Sequence, residues 1–484
     1  MTKEVDKYIH EVAIPMQHIF KDMLKYAPSK IFGLFGNLAI VPIYTNLLSP
    51  SQYGIYTISL AVLSFLCILF SDWIGLAALR FFRKNELCND ITKYLSNIAY
   101  ILILNLVVMY IVCFFCKSYI YNYFHITPKV FLVILAVIIP ISIRAFLFQL
   151  LRAQIKPGAF TFSTILNQIL TIVIAVLLIK LTHLGAFSIL LSMIISISFV
   201  DLILMKQTNI FKFLKLEKIN FDLLKSVFMY GIPLAVAALS LWIINQSNKV
   251  ITTHFYGLEK AGYVGVAYSL TFPILMTLFA IITIAAYPRI INLFEDKKDV
   301  RPVISKLTGY YMLISIPVVS LMCVYPKEIM DILANSQYNN AYILLPYFAL
   351  SAFFLSFTDF TTFQYHLANK TYILTLLKIV SGVTGLVLNI FLIKQMGLLG
   401  AGVGLLLSNI LYFLLTLIIV IPGLEWKIPY RRIIHLAVCY IPTIILWTII
   451  SQSQMLPILQ MNILLIFYYL FYYLTKKLFK DAII

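Results

Sequence analysis

Four charged side chains interrupt stretches of sequence that are otherwise apolar: Asp72, Arg144, Asp359 and Lys378, with Arg80 closing the first of those stretches. Arginine presents forked N–H donors that match two oxygens of a phosphate or carboxylate, and lysine offers a compact point charge. A carboxylate in the same surroundings can balance such a cation or carry a proton. Two bases and two acids in apolar surroundings describe an anion site with its counter-ions. They equally describe two structural bridges, Arg144 with Asp72 and Lys378 with Asp359. Both readings stay open on the sequence. An arginine at the centre of a bilayer costs about 3 kcal/mol on insertion scales, so such a group faces protein or a cavity rather than lipid.

The elements that must hold these residues are membrane spans. The chain has 484 residues, 62% of them hydrophobic and 12% charged, with a mean hydropathy of +0.95. An ordinary soluble domain carries about 25% charged residues. Apolar windows of the length a bilayer requires fall near 28–47, 54–79, 94–115, 130–151, 159–180, 184–205, 226–249, 262–288, 307–325, 341–365, 371–393, 397–421, 433–451 and 461–475. The expected fold is all-α and polytopic, with about 14 transmembrane helices.

Loop charge orients the spans. With the N-terminus placed in the cytoplasm, 28 of the 37 lysines and arginines fall on the cytoplasmic side and 7 on the opposite side, Arg144 and Lys378 being the remaining two. Both termini are therefore expected in the cytoplasm. The net charge of +18 then reflects topology and contact with anionic inner-leaflet lipid, and implies no nucleic-acid partner. Residues 1–27, amphipathic and lysine-bearing, read as a cytoplasmic interfacial helix. On this topology Asp72, Arg144, Asp359 and Lys378 each lie about two turns from the cytoplasmic end of their spans, within about 10 Å of the inner boundary at 1.5 Å per residue. Lys249 is the charge near the outer half. Cys113 and Cys116 are spaced as Cys-x-x-Cys, but no second ligand pair accompanies them and they read as packing residues.

The chain also repeats itself. Tyr26-Ala27-Pro28, a span, and Leu48-Ser49-Pro50-Ser51-Gln52-Tyr53-Gly54-Ile55-Tyr56 are answered about 200 residues later. The second copy is Tyr230-Gly231-Ile232-Pro233, a span, and the stretch from Phe255 through Gly262-Tyr263. The offset of six spans is even, so both copies share one orientation. Parallel six-helix repeats are a transporter layout, with the substrate between the halves. The resulting division is an N-terminal segment 1–27, an N-lobe 28–205 of spans one to six, a cytoplasmic linker 206–225, a C-lobe 226–421 of spans seven to twelve, and two extra C-terminal spans within 422–484.

At these residues a family resemblance enters. Lys30 to Arg80, with Leu48-Ser49-Pro50 and Tyr53-Gly54-Ile55-Tyr56 at its turn, resembles the N-terminal signature of the polysaccharide-biosynthesis flippases. These are the Wzx-like, O-antigen branch of the multidrug/oligosaccharidyl-lipid/polysaccharide exporter superfamily. Gly257 to Tyr268 is similar to the family's second Gly-Tyr turn. Leu388-Asn389-Ile390 and Gly397-Leu398-Leu399-Gly400-Ala401-Gly402 are similar to its eleventh span and the turn after it. The family's acidic residue at the outer end of span seven stands here as Asn248, beside Lys249. The resemblance implies a flippase that moves undecaprenyl-diphosphate-linked oligosaccharide (O-antigen, capsule or a similar surface glycan) across the bacterial cytoplasmic membrane by alternating access. Membrane lipid, a polysaccharide polymerase and chain-length machinery are the partners it implies.

The residues add their own content. Arg144, Lys378, Arg80, Lys249 and Asn37 are the expected substrate contacts, and Asp72 and Asp359 the expected coupling groups. Asn37, Asn167, Gln168, Asn245, Gln246, Asn248 and Asn389 serve either sugar hydroxyls or interhelical hydrogen bonds. Pro140, Pro233 and Pro273 are candidate kinks, and Gly400-x-x-x-Gly404 a close helix contact. No cofactor or metal is expected, and no Gly-x-x-x-x-Gly-Lys-Ser/Thr motif points to ATP. Coupling to the membrane potential or to an H+ or Na+ gradient is expected instead. Moving a negative charge outward across an inside-negative membrane releases about 2.3 kcal/mol per charge per 100 mV. A cation or drug antiporter on the same fold is the alternative, and would call for a cavity lined mainly by carboxylates. An uncoupled scramblase or assembly subunit is a further one. An enzyme is not expected, because the outer loops are short.

Overall fold

The computed structural model describes residues 16–475 apart from 89, 216, 285 and 452–454, and all its elements are helical. Twelve stretches among the described residues are long and apolar enough to cross a membrane. One of them lies in a 64-residue helix, Phe221–Ile284, that breaks at Gly257 into two spans. With Met16–Leu47 in front, fourteen membrane helices result. They are α1 Met16–Leu47, α2 Pro50–Leu87, α3 Ile91–Phe124, α4 Pro128–Ala153, α5 Pro157–Thr182 and α6 Ala186–Thr208. The arms of Phe221–Ile284 before and after Gly257 are α7 and α8. Then come α9 Arg301–Val324, α10 Leu345–Thr361 (led by a 3-10 turn, Ser336–Leu344), α11 Thr371–Met396, α12 Leu398–Ile418, α13 Tyr430–Ile450 and α14 Pro457–Thr475.

Local sequence explains most of the boundaries. Ser49 caps α2 by accepting from the Gln52 N–H, and Pro50 occupies the first turn, where its missing N–H costs nothing. Thr127 and Pro128 repeat the device at α4. His125, His183 and Asn209 end α3, α5 and α6 in the left-handed conformation. Gly257 has φ of 78°, which a side chain would oppose, so the chain turns there and not at the flanking Pro233 or Pro273. Pro28, expected at the mouth of the first span, lies inside α1. The interfacial reading of residues 1–27 falls on segments whose side chains are outside the described residues. The helix α2 continues past the expected end at residue 79 to Leu87, so Asp72 is 15 residues from its end rather than two turns. A π-helical turn, Ile68–Asp72, interrupts it.

The sequence repeat is a packing repeat. In the N-lobe α1 packs on α5, α2 on α4, α4 on α6 and α5 on α6. In the C-lobe α11 packs on α7, α10 on α8, α10 on α12 and α11 on α12. The lobes meet where the two copies of the Gly-Tyr motif cross. A Cβ on Gly54 would stand 1.8 Å from the Leu258 carbonyl oxygen, and one on Gly262 would stand 2.2 Å from that of Pro50. At this same end the Tyr338 hydroxyl donates to the Leu48 carbonyl at 3.0 Å, and the Asn335 amide donates to Asn46 Oδ1 at 3.0 Å. Midway along, Trp242 Nε1 of α7 donates to Ser64 Oγ of α2 at 2.9 Å. The helices α13 and α14 pack on each other and on α9, outside both lobes.

Candidate functional site

Inside the N-lobe the helices stand apart around a cavity of about 360 Å³. Its wall takes residues from α1, α2, α4, α5 and α6. The helix α5 contributes Thr164, Asn167, Gln168 and Thr171, spaced i, i+3, i+4 and i+7, which is one face of a helix. That face is polar inside an otherwise apolar span. Gln168 Nε2 donates to the Gly33 carbonyl of α1 at 3.3 Å, and Thr171 Oγ1 lies 2.7 Å from Ser196 Oγ of α6. Asn167 Oδ1 is buried without a hydrogen-bond partner. Asn37 of α1 lines the cavity with an exposed side chain. Tyr44 and Tyr56 line it too, their rings edge to face at 5.6 Å. From α6 come Ile189, Met193 and Ile197, a row at every fourth residue.

Arg144 is the charged residue of this wall. Among the described residues it makes no hydrogen bond or ion-pair contact. It acts electrostatically on Asp201 and on Cys67. The bridge to Asp72 considered on the sequence is therefore replaced by an electrostatic relation to Asp201, on α6. Asp72 sits at the end of the π turn, whose extra residue shifts the faces that α2 presents before and after it. Asp201 continues the row of Ile189, Met193 and Ile197 one turn further. It is 3% exposed, and neither carboxylate oxygen has a hydrogen-bond partner. It lies inside the apolar window 184–205, five residues from the basic rim at Lys206.

The other expected residues fall elsewhere. Lys378 of α11 and Asp359 of α10 act on each other in the C-lobe, with His366 near the lysine and Tyr311 and Tyr412 near the carboxylate. Lys249 is buried, its Nζ 2.8 Å from Gln246 Oε1 and 3.6 Å above the Tyr268 ring. Arg80 is exposed on the far end of α2. Of the amide residues, Asn37, Asn167 and Gln168 reach the cavity. Asn389 instead donates to Ser247 Oγ across α7 and α11 at 3.3 Å, and Asn248 Oδ1 accepts from the Lys249 N–H. The structure thus brings Arg144 and Asn37 to one cavity and leaves Lys378, Lys249, Arg80, Asp72 and Asp359 off its wall.

Comparison with known proteins places this geometry. An uncharacterized membrane protein of Methanocaldococcus jannaschii is 25% identical over 387 residues, 75% of this chain and 76% of its own. Among solved structures, the lipid II flippase MurJ in an inward closed conformation superposes with a TM-score of 0.73 at 14% identity, over 94% of this chain and 98% of its own. An inward-facing multidrug resistance MATE family transporter of the MOP superfamily gives 0.61 at 15% identity, over 82% and 97%. Its outward-facing counterpart gives 0.53 at 16% identity, over 82% and 94%. At these identities the structures share the fold. The family model described as polysaccharide biosynthesis protein matches residues 43–343. That match covers more than half of the chain, and the protein belongs to the polysaccharide biosynthesis protein family.

Proposed function

We propose that this protein is a flippase carrying undecaprenyl-diphosphate-linked oligosaccharide from the inner to the outer leaflet of the cytoplasmic membrane, and that the N-lobe cavity receives the headgroup. The observation that supports this best is Arg144, a guanidinium on the wall of a cavity with one polar face and free of ion-pair contact among the described residues. Its forked donors suit the oxygens of a diphosphate, and Asn37, Asn167, Gln168 and Thr164 suit sugar hydroxyls beside it. At about 360 Å³ the cavity has the size of a small-ligand pocket, which holds a diphosphate and its first sugar rather than a whole oligosaccharide.

The lobes press backbone on backbone at the α1–α2 end, while towards the linker end they meet through side chains, Phe228 and Gly231 of α7 against Trp73 of α2, so loading from the linker end displaces side chains only. With the sequence orientation, that end faces the cytoplasm. A negative headgroup moving outward then draws energy from the membrane potential. A cation exporter would need carboxylates on the cavity wall, and the charged residue there is Arg144.

The test uses the full chain in proteoliposomes with a fluorescent undecaprenyl-diphosphate oligosaccharide. A hydrogen-bonded contact to a charged group contributes about 1.5–3 kcal/mol, so Arg144→Ala should lower flipping about 10- to 150-fold. Flipping at the wild-type rate in a variant that melts normally would remove the headgroup role. Flipping that ignores collapse of the potential and of every ion gradient would remove the energy source.

A further inference from the structure

The row Ile189, Met193, Ile197 of α6 faces the cavity, and Asp201 extends that row by one turn. At 3% exposure with both oxygens lacking a donor, Asp201 has no compensation from hydrogen bonds. A buried carboxylate in that state is costly unless a cation balances it or a proton neutralises it. The cation at hand is Arg144, which acts on Asp201 without ion-pair contact and also faces the cavity. Other charged or titratable groups stand on the packed helices. They are Lys129 and Arg152 at the ends of α4, Lys156 and Lys180 at the ends of α5, Lys206 at the end of α6, and Cys67 and Asp72 on α2, with Lys156 Nζ donating to the Gln207 carbonyl of α6 at 2.7 Å. Unlike these groups, Arg144 stands on the cavity wall together with the α6 row that Asp201 extends.

We infer that Asp201 is the built-in counter-ion of Arg144, that an anionic ligand in the N-lobe cavity displaces it, and that Asp201 takes up a proton from solvent as the ligand binds. This rests on Arg144 as the anion-binding group and adds how that group is held when the cavity is empty. A second negative charge brought to Arg144 leaves Asp201 facing an anion with its compensating cation already engaged. The carboxylate oxygen then gains a proton, and no bond in the ligand changes. By reciprocity, protonating Asp201 frees Arg144 and tightens anion binding. Binding should therefore strengthen as pH falls, by at most tenfold per pH unit for one proton.

The probe is uridine diphosphate glucose, a soluble diphosphate diester whose own charge is constant between pH 5 and 8. Its binding to the purified full chain in detergent is followed by calorimetry in two buffers of different ionisation enthalpy. The wild type should take up close to one proton per ligand and bind more tightly at low pH. Asp201→Asn should bind at the low-pH affinity throughout and take up none, and Asp201→Glu should restore the slope. Zero proton uptake by the wild type, or a sloped profile in Asp201→Asn, overturns the inference. Should Asp201→Asn fail to fold, the two-buffer measurement on the wild type decides alone. Arg144→Gln separates the two levels. If it binds as well as the wild type, the anion-site reading itself falls. If it loses binding while Asp201→Asn behaves as the wild type, only the role of Asp201 falls.

Discussion

The two lobes pack their helices by one scheme and differ in what they leave between them. In the C-lobe α11 and α12 are drawn in by small residues: a Cβ on Gly382 would lie 3.0 Å from the Ser240 carbonyl oxygen, and one on Gly404 2.4 Å from Asn389 Oδ1. Hydrogen bonds then cross the closed gaps, Asn409 to Ser351 Oγ at 2.7 Å and Thr361 to Thr416 Oγ1 at 2.7 Å. Counted from the first residue of each helix, Gly382 and Gly385 of α11 fall where α5 has Gln168 and Thr171. In the N-lobe Gln168 packs onto Gly33 and Gly36 of α1, and the cavity lies beside that contact. By the same count Lys378 falls where α5 has Thr164, a cavity residue. A charge in an apolar helix thus comes to line a cavity where the packing around it leaves space, as at Arg144.

The comparison can be broken hardest where the lobes meet. Gly54 and Gly262 belong to the two copies of one motif, and each presses its backbone on the other lobe. Gly54→Ala places a methyl carbon 1.8 Å from a backbone carbonyl oxygen, which cannot swing aside as a side chain would. Overpacking of this kind costs about 1–3 kcal/mol or more, and the value here should sit at the top of that range. Gly262→Ala, at 2.2 Å, should cost nearly as much. Thermal melting of the full chain in detergent measures both. If one variant melts like the wild type and the other does not, the contact is not shared between the two copies in the way the repeat suggests.

A smaller effect tests the claim that the C-lobe charges are structural. Lys378 and Asp359 are half-buried and balance each other. Removing one partner of a fully buried pair costs about 3–5 kcal/mol, and partial exposure with no direct contact brings the expected loss for Lys378→Ala to about 2 kcal/mol. Lys378→Met combined with Asp359→Leu should recover most of it, because no charge is then stranded. Flipping should follow stability in both. Lost flipping with unchanged melting would return Lys378 to the ligand site and erase the distinction between the lobes.

Much of this was legible in the sequence, and the failures have physical causes. The spans, the repeat and the even offset were legible because apolar length and turn residues are local signals. The turn at Gly257 was legible for the same reason. Membership of Asn37 and Arg144 in one cavity was not, since helix facing depends on which neighbours approach closely. The sequence offers Asp72 as a partner for Arg144 and carries no mark of Asp201, for two reasons. The π turn at Ile68–Asp72 changes the facing of α2 without leaving any sequence mark. Asp201 lies 57 residues beyond Arg144, on a helix whose contact with α4 is fixed by tertiary packing. Amide residues were a mixed set: Gln168 and Asn389 each pack on a glycine of a neighbouring helix, Gly36 and Gly404, and the cavity beside Gln168 is what separates them.

The smallest effect distinguishes the lobes at their linker ends. The linker is held on α3 by uncharged groups: Ser96 Oγ donates to the Phe213 carbonyl, and Asn97 Oδ1 accepts from the Asn220 N–H at 2.8 Å. The C-lobe end is tied by charges. Arg301 binds Asp299 at 2.8 Å and reaches Glu425, in the α12–α13 connection, at 3.3 Å. The Gly423 N–H, foremost, and then Arg301 hold the Glu425 carboxyl below its ordinary range, and Arg301 does the same for Asp299. A carboxyl with a lowered folded-state value adds stability above the unfolded value, about 4.3 for glutamate, and loses it as pH falls through the folded one. The groups are exposed, so the effect on melting should be slight and weakened by salt. Hydrogen exchange should see it. Acidification from pH 7 to pH 3, corrected for intrinsic rates, should loosen the amides of 420–428 while those of 209–220 hold. Glu425→Gln should show the loosening already at pH 7. If both connections loosen together on acidification, the ties of the two lobe ends do not differ in kind, and the contrast between the lobes stops at their interiors.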